Sequence, residues 1–312
     1  MMGDDRDPLA PDAHGPSRRA FLRAAALLAG APAVASAALQ RGAARRALTA
    51  REVADRIRAG VGVPWQPSTV DGFKAGDPST SVTGIATAAM ATVDVLRRAA
   101  DAGHNFVVTV EPTFYGAHDG AADDASGARA NDPVYLAKRA LIDERRLVVF
   151  RFADHWRART PDATARALAA AMGWTEQGSD DRTYDVPATT VGDVVALARA
   201  RLGARGGLRV IGDARAPVRR VLVSPGTVEW RDTVRRAPGV DLILAGEPRE
   251  WEAVEYAYDA VAAGRLAGMV ALGRVISEEP GMRACAEWLR TLVTEVPVRP
   301  FAVADPYWSP AA

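Results

Sequence analysis

Lysine and arginine total 39 against 38 aspartate and glutamate in 312 residues, and this net charge of +1 excludes the strongly basic footprint of a nucleic-acid binder. A single cysteine, Cys285, excludes an internal disulfide, so packing must hold the fold. Four histidines, His14, His104, His118 and His155, leave few imidazoles for metal chemistry.

The chain opens with a polar stretch, then Ser17-Arg18-Arg19-Ala20-Phe21-Leu22-Arg23, an Ala/Leu-rich run and Ala35-Ser36-Ala37. Polar region, paired arginines, apolar region and small-residue site together read as a twin-arginine export signal over 1–37. The expectation is a protein exported to the periplasm or the extracellular space. The apolar run is broken by Gly30 and Pro32 and is shorter than the about 20 residues a bilayer needs, so no stable membrane span is expected after cleavage.

Beyond it, Thr49-Ala50-Arg51-Glu52 is a capping box that predicts a helix carrying Val53 and Ile57 on one face. A Pro/Gly-rich loop follows, then a strand over 81–87. A helix over 90–102 carries Val93, Leu96 and Ala100 on one stripe and stops at Gly103. Phe106 to Val110 is an apolar run typical of a strand buried on both faces, and Glu111-Pro112 ends it. After a Gly/Ala/Asp-rich loop, Asp132 caps a helix with Pro133 at its first position. Leu147 to Phe150 is the next strand, with Asp154 and His155 past its end, and Thr160-Pro161 begins a helix that stops at Gly173.

Thr190 caps a helix to Leu202, and strands are predicted over 208–211, 218–223 and 240–244. A helix over 249–263, a strand over 268–272, a helix over 281–293 and a strand over 296–303 complete the chain. The alternation indicates an α/β fold with mainly parallel sheets flanked by helices, in two lobes over 38–178 and 179–312. Cys285, Trp251 and Trp288 fall at helical core spacing, and His104 sits in a helix-to-strand turn expected to be solvated.

In such folds chemistry gathers at the carboxyl ends of strands. Carboxylates stand at four of these ends: Glu111, Asp154 beside His155, Glu247, and Glu278 with Glu279. His118, in the loop after Glu111, is placed to swing toward the same crevice. Phosphate loops, Cys-x-x-Cys pairs, His-Glu-x-x-His and Gly-x-Ser-x-Gly elbows are absent.

The segment from Asn105 to Tyr115 resembles the first metal-ligand segment of the NIF-three-like dinuclear metal-centre proteins, the GTP cyclohydrolase I type 2 homologues. Phe150 to Trp156, Ala245 to Glu252 and Leu272 to Met282 resemble that family's middle, Gly-Glu-turn and closing segments, in the right order. The resemblance implies a two-lobed NIF-three-like fold, a homo-oligomer (usually a hexamer) and two metal ions between the lobes.

The sequence departs from the family at the ligands. Val110 and Arg274 stand where histidines are expected, as does Ala153 by comparison with many relatives, whereas Glu111, Asp154, His155 and Glu278 are kept. Valine has no lone pair to give, and arginine is permanently protonated with no acceptor. Two readings follow. In the first, Arg274 pairs with the carboxylates in place of a metal, leaving a degenerate site in a non-catalytic or weakly catalytic oligomer that binds a small polar ligand or none. In the second, Glu111, Asp154, His155 and Glu278 hold one divalent ion (Mn, Mg, Fe or Zn), an oxygen-rich set that suits Mn²⁺ or Mg²⁺ better than zinc. The protein would then be a metal-dependent hydrolase of a nucleotide-like or other small molecule, with Glu111 or His155 as general base.

Overall fold

The computed structural model describes residues 47–119, 128–175, 180–203, 207–304 and 306–307. The export signal and the lobe boundary expected at residue 178 lie outside the described residues. Leu48–Ala312 forms one compact unit, and all elements below belong to it.

Helix α1 (Ala50–Gly60) begins at the predicted capping box, with the Thr49 amide donating to Glu52 Oε2 at 2.8 Å and the Glu52 amide to Thr49 Oγ1 at 3.3 Å. The first sheet contains β1 (Gly72–Ala75), β2 (Ile85–Ala88), β3 (Phe106–Thr109), β4 (Val148–Arg151) and the C-terminal β10 (Val298–Pro300). Its order is β1-β4-β3-β2-β10, with only β1 antiparallel to its neighbour. Every residue of β3 and β4 is buried, as their unbroken apolar runs require. β1 lies inside the stretch expected to be loop; three half-buried residues and the buried Ala75 at a sheet edge carry no alternation, and pairing with β4 alone makes them a strand.

Helix α2 (Val93–Asp101) starts later than predicted because Thr92 caps it, its hydroxyl accepting from the Val95 amide at 3.2 Å. Its buried stripe is Val95, Leu96 and Ala99. Helix α3 (Pro133–Glu144) follows its predicted Asp132 cap. After β4 come the short α4 (Asp154–Arg157) and α5 (Ala163–Met172). The start of α5 is set by Asp162, whose carboxylate accepts from the amides of Thr164 and Ala165, rather than by Thr160.

The second sheet contains β5 (Thr183–Thr190), β6 (Arg209–Gly212), β7 (Pro217–Val228), β8 (Leu242–Pro248) and β9 (Gly268–Ala271), in the order β5-β7-β8-β9-β6. The inner pairs are parallel and both edge pairs antiparallel, so parallel character is confined to its centre. Helix α6 (Val191–Leu202) opens on a Thr190–Asp193 capping box, α7 (Trp230–Arg236) follows β7, and a π-helical turn at Glu250–Val254 leads into α8 (Glu255–Ala262).

The last helix, α9 (Arg274–Leu292), places most of the site. It begins seven residues before the predicted start and runs through Pro280. A proline inside a helix removes one backbone bond and costs about 3 kcal/mol. Burial of Ser277 and Glu278, and the Ser277 hydroxyl donating to the Arg274 carbonyl at 2.8 Å, hold the first turns in helical form regardless. Helix α9 packs against β2 and β10 of the first sheet and against β7 and β8 of the second.

Trp288 packs against Phe152 and Trp156, with ring centroids 5.6 Å from each, and Cys285 is fully buried. Two expectations are corrected. Trp251, in the π-helical turn that precedes α8, is 71% exposed rather than core. His104 is buried rather than solvated: its Nδ1 bonds the Ala102 carbonyl at 2.9 Å, and the ring of Phe301 covers it. Among the described residues no helix is long and apolar enough to cross a membrane.

Candidate functional site

Glu111 lies two residues past β3, where its amide donates to the Ala89 carbonyl at 3.0 Å. Arg274 and Glu278 stand one turn apart at the start of α9, and Arg157 closes α4. These four side chains form one cluster. Glu111 Oε1 accepts from Arg157 Nη2 at 2.8 Å, and Glu111 Oε2 accepts from Arg274 Nη1. Arg157 Nη2 also donates to Glu278 Oε1. Arg274 is held on its other nitrogens, Nε donating to Glu247 Oε2 at 2.6 Å and Nη2 to the Thr227 hydroxyl.

Glu111 and Glu278 are almost fully buried. Burial alone would raise both acids. At Glu111 the charges of Arg274 and Arg157 more than reverse that effect, and its pKa falls below the usual glutamate range. At Glu278 burial, with the neighbouring Glu111 charge added, outweighs Arg157, and its pKa rises. Glu111 is therefore the ionised member of the pair and Glu278 the one that keeps a proton. Glu278 Oε2 is buried with no hydrogen-bond partner.

Two glycines make room for this arrangement. Gly226, at φ +68° in the bulge of β7, lies where a Cβ would come 2.5 Å from Glu278 Oε1. A Cβ on Gly246 would fall 2.3 Å from the Gly226 carbonyl oxygen. The bulge in turn directs Thr227 to Arg274. Val110, by contrast, packs in the apolar core.

The other predicted residues are placed elsewhere. Asp154 Oδ2 accepts from the Thr69 hydroxyl at 2.7 Å and the Val70 amide at 2.9 Å. These bonds outweigh partial burial and hold its pKa below the ordinary aspartate value. His155 is buried with Nδ1 2.7 Å from Asp71 Oδ2, while its Nε2 accepts from the Gln66 amide at 2.8 Å. That pattern places the ring proton on Nδ1. The ring of Trp65 stacks on it at 3.8 Å. Asp71 also accepts from the amides of Ala153, Asp154 and His155, so it fixes the start of α4 and hence Arg157. His118 is exposed, and its carbonyl accepts from Lys74 Nζ at 3.4 Å.

The structure thus brings Glu111, Glu247, Glu278 and Arg274 together and engages both ring nitrogens of His155 with protein partners. Arg157 was missed by sequence reasoning. It lies one helical turn after Asp154, so the segment ending at Trp156 stopped one residue short of it.

This donor set does not fit a divalent ion. Three of the four oxygens of Glu111 and Glu278 face guanidinium groups, which have no lone pair to offer. Among the described residues, no group of three or more His, Cys, Asp and Glu side chains is placed to hold a metal. Neither Glu111, pinned on both oxygens, nor His155, with its lone pair on Gln66, presents a free base. What the cluster offers is hydrogen-bond donors facing a cavity of about 510 Å³, lined by Glu111, Glu247, Arg151, Arg157, Arg249 and Arg274 among others.

No family model and no curated protein matches the sequence. Solved structures do match in fold. A Staphylococcus aureus hypothetical protein superposes with a TM-score of 0.66 at 14% identity, covering 84% of this chain and 99% of that one. A Bacillus cereus protein related to NIF3 gives 0.62 at 12% identity, with 83% and 98% covered. The protein ybgI, of unknown function, gives 0.61 at 20% identity, with 83% and 99% covered.

Proposed function

Starting from a chain that has the fold of the NIF3-related proteins, we propose that it is an exported binding protein whose metal site has degenerated into an arginine-pinned carboxylate cluster, with weak catalysis or none. One observation carries this reading: each oxygen of Glu111 meets a guanidinium, Arg157 on one side and Arg274 on the other. The two arginines supply, as permanent charges, part of what two metal ions would supply to the same carboxylates.

Electrostatics supports the substitution. A divalent ion about 4 Å from one guanidinium is repelled by roughly 8 kcal/mol at an effective dielectric of about 20, which cancels the attraction of one carboxylate at the same distance, and here two guanidiniums are present. Glu111 is satisfied without it, both oxygens accepting from guanidinium groups, and Glu278 is held through Oε1 by Arg157. The ligand is small and polar, taken up in the cavity over the cluster. The Arg18-Arg19 signal fits a route for proteins that fold before crossing the membrane. The resemblance adds a homo-oligomer, a hexamer in most relatives.

Calorimetric titration of the purified full chain with Mn²⁺ and Zn²⁺ tests the reading. The expected result is no saturable binding at the cluster. Near-stoichiometric binding, lost on Asp154→Ala or Glu278→Ala, would restore the reading as a metal-dependent hydrolase, in which Asp154 and Glu278 would help hold an ion that would activate water.

A further inference from the structure

The cavity over Glu111 is one end of a longer trench. A neighbouring cavity of about 660 Å³ shares Arg157 and Thr227 with it. A third, smaller cavity of about 200 Å³ carries Thr227, Arg231 and Arg249 on its walls and so joins the two.

Arginines outnumber carboxylates by eight to five on the walls of this trench. At the Glu111 end four arginines, Arg151, Arg157, Arg249 and Arg274, face two lining carboxylates, Glu111 and Glu247, while Asp119 lies 3.8 Å from Arg151 and Glu252 holds Nη1 of Arg249 at 2.7 Å, leaving its other donors. At the far end Arg182, Arg231, Arg235 and Arg236 face Glu229 and Asp232. Asp232 is shared by three of those four guanidiniums, so it cannot neutralise them all. Asp162, Asp180 and Asp181 hold Arg182 and Arg236 from behind. Arg235 is left with a share of Asp232, and the Arg231 side chain has no ion pair or hydrogen bond among the described residues.

Arg157 stands at the waist. It contacts its two carboxylates through Nη2 alone, and its Nε and Nη1 protons have no partner among the described residues. Guanidinium N–H groups without a protein partner bind carboxylate and phosphate oxygens, and at Arg157 they act as two separate donors, because both forked edges of the group include the occupied Nη2. The enclosed volumes suit a small molecule rather than a polymer.

We propose that the trench binds a small molecule bearing two oxyanion groups, one seated at Arg157 and Arg249 and the other at Arg231 and Arg235. This rests on the metal-free reading of the cluster, since here the arginines, not an ion, meet the anion. A phosphate pair and a polycarboxylate share this chemistry.

The test is calorimetry on the full chain at low salt with EDTA, using inorganic pyrophosphate and citrate as probes, and orthophosphate and acetate as single-oxyanion controls. At least one two-group probe should bind about tenfold or more tightly than its control. The tighter of the two identifies phosphate or carboxylate as the natural group. Arg231→Glu, at an exposed residue outside the buried cluster, should weaken binding by about tenfold, while Arg215→Glu, of equal charge change and outside the trench lining, should not. A metal-free protein that ignores both probes, or binds them equally after Arg231→Glu and Arg215→Glu, overturns this proposal alone. Anion binding that appears only when a divalent ion is added overturns it together with the metal-free reading.

Discussion

Replacing Arg274 with methionine removes the charge from one side of a nearly fully buried carboxylate while keeping most of the side-chain volume. Arg274 is a quarter exposed, and its bond to the exposed Glu247 adds little. The cost lies at Glu111, 3% exposed, which would keep only Arg157. Breaking one side of a buried pair costs roughly 3–5 kcal/mol, and the remaining guanidinium moves the expectation to about 3 kcal/mol. For a body of this size that corresponds to a fall in Tm of about 9 °C. Adding Glu111→Gln removes the stranded charge, so the double variant should be less destabilised than the sum of the single variants by about 2 kcal/mol. The pH dependence has a defined sign. Glu111 has a depressed folded pKa, so it stabilises the fold above the unfolded glutamate value, and that stability is lost as pH falls through the folded value. Arg274→Met should shrink this loss. Urea unfolding of the four proteins of the cycle, at neutral and acidic pH, provides the numbers. Additivity within about 0.5 kcal/mol would refute the claim that Arg274 acts on Glu111 as a counter-ion.

Other features make independent predictions. Lys138 is buried with Nζ 2.5 Å from the Thr113 carbonyl, and burial, partly countered by Asp119, lowers its pKa from 10.5 to about 8. Between those values the unfolded chain holds the extra proton, so stability should rise with pH from about 8 to about 10.5 by up to roughly 3 kcal/mol, and Lys138→Met should flatten the rise. A profile unchanged by the substitution would show that Lys138 is not the source. Gly246→Ala forces a Cβ against the Gly226 backbone and should cost about 3 kcal/mol, whereas Gly264→Ala, at φ +65° with open space around it, should cost about 1 kcal/mol; equal denaturation midpoints would contradict the close approach. Lysine at both Arg18 and Arg19 should abolish export of a fused reporter, and undiminished export would reject the twin-arginine signal.

The sequence made the local features legible. Capping boxes at Thr49 and Thr190, the Asp132-Pro133 start and the unbroken runs of β3 and β4 carry their signal within a few residues, so periodicity and capping found them. β1 and β5 were missed because edge strands owe their form to a partner distant in sequence. Pro280 misplaced the start of α9, since burial of Ser277 and Glu278, not propensity, keeps the turns before it helical. At the site, Glu111, Glu247 and Glu278 were found from strand ends, and Arg274 from the family resemblance, as the residue standing where a histidine is expected. The assignment of His155 as a ligand had no such geometry behind it. Only the fold shows that Gln66 and Asp71 engage both its nitrogens. Arg157 had no motif at all, and its role depends on Asp71 fixing the turn that presents it.

Elemental analysis of the full-length protein, purified from the cell without chelator, bears most directly on the claim that arginine replaces metal at this centre. The account predicts Mn, Fe, Zn and Mg far below one equivalent per chain, and a metal content that Glu278→Ala does not change. Near-stoichiometric metal that disappears on Glu278→Ala would contradict it.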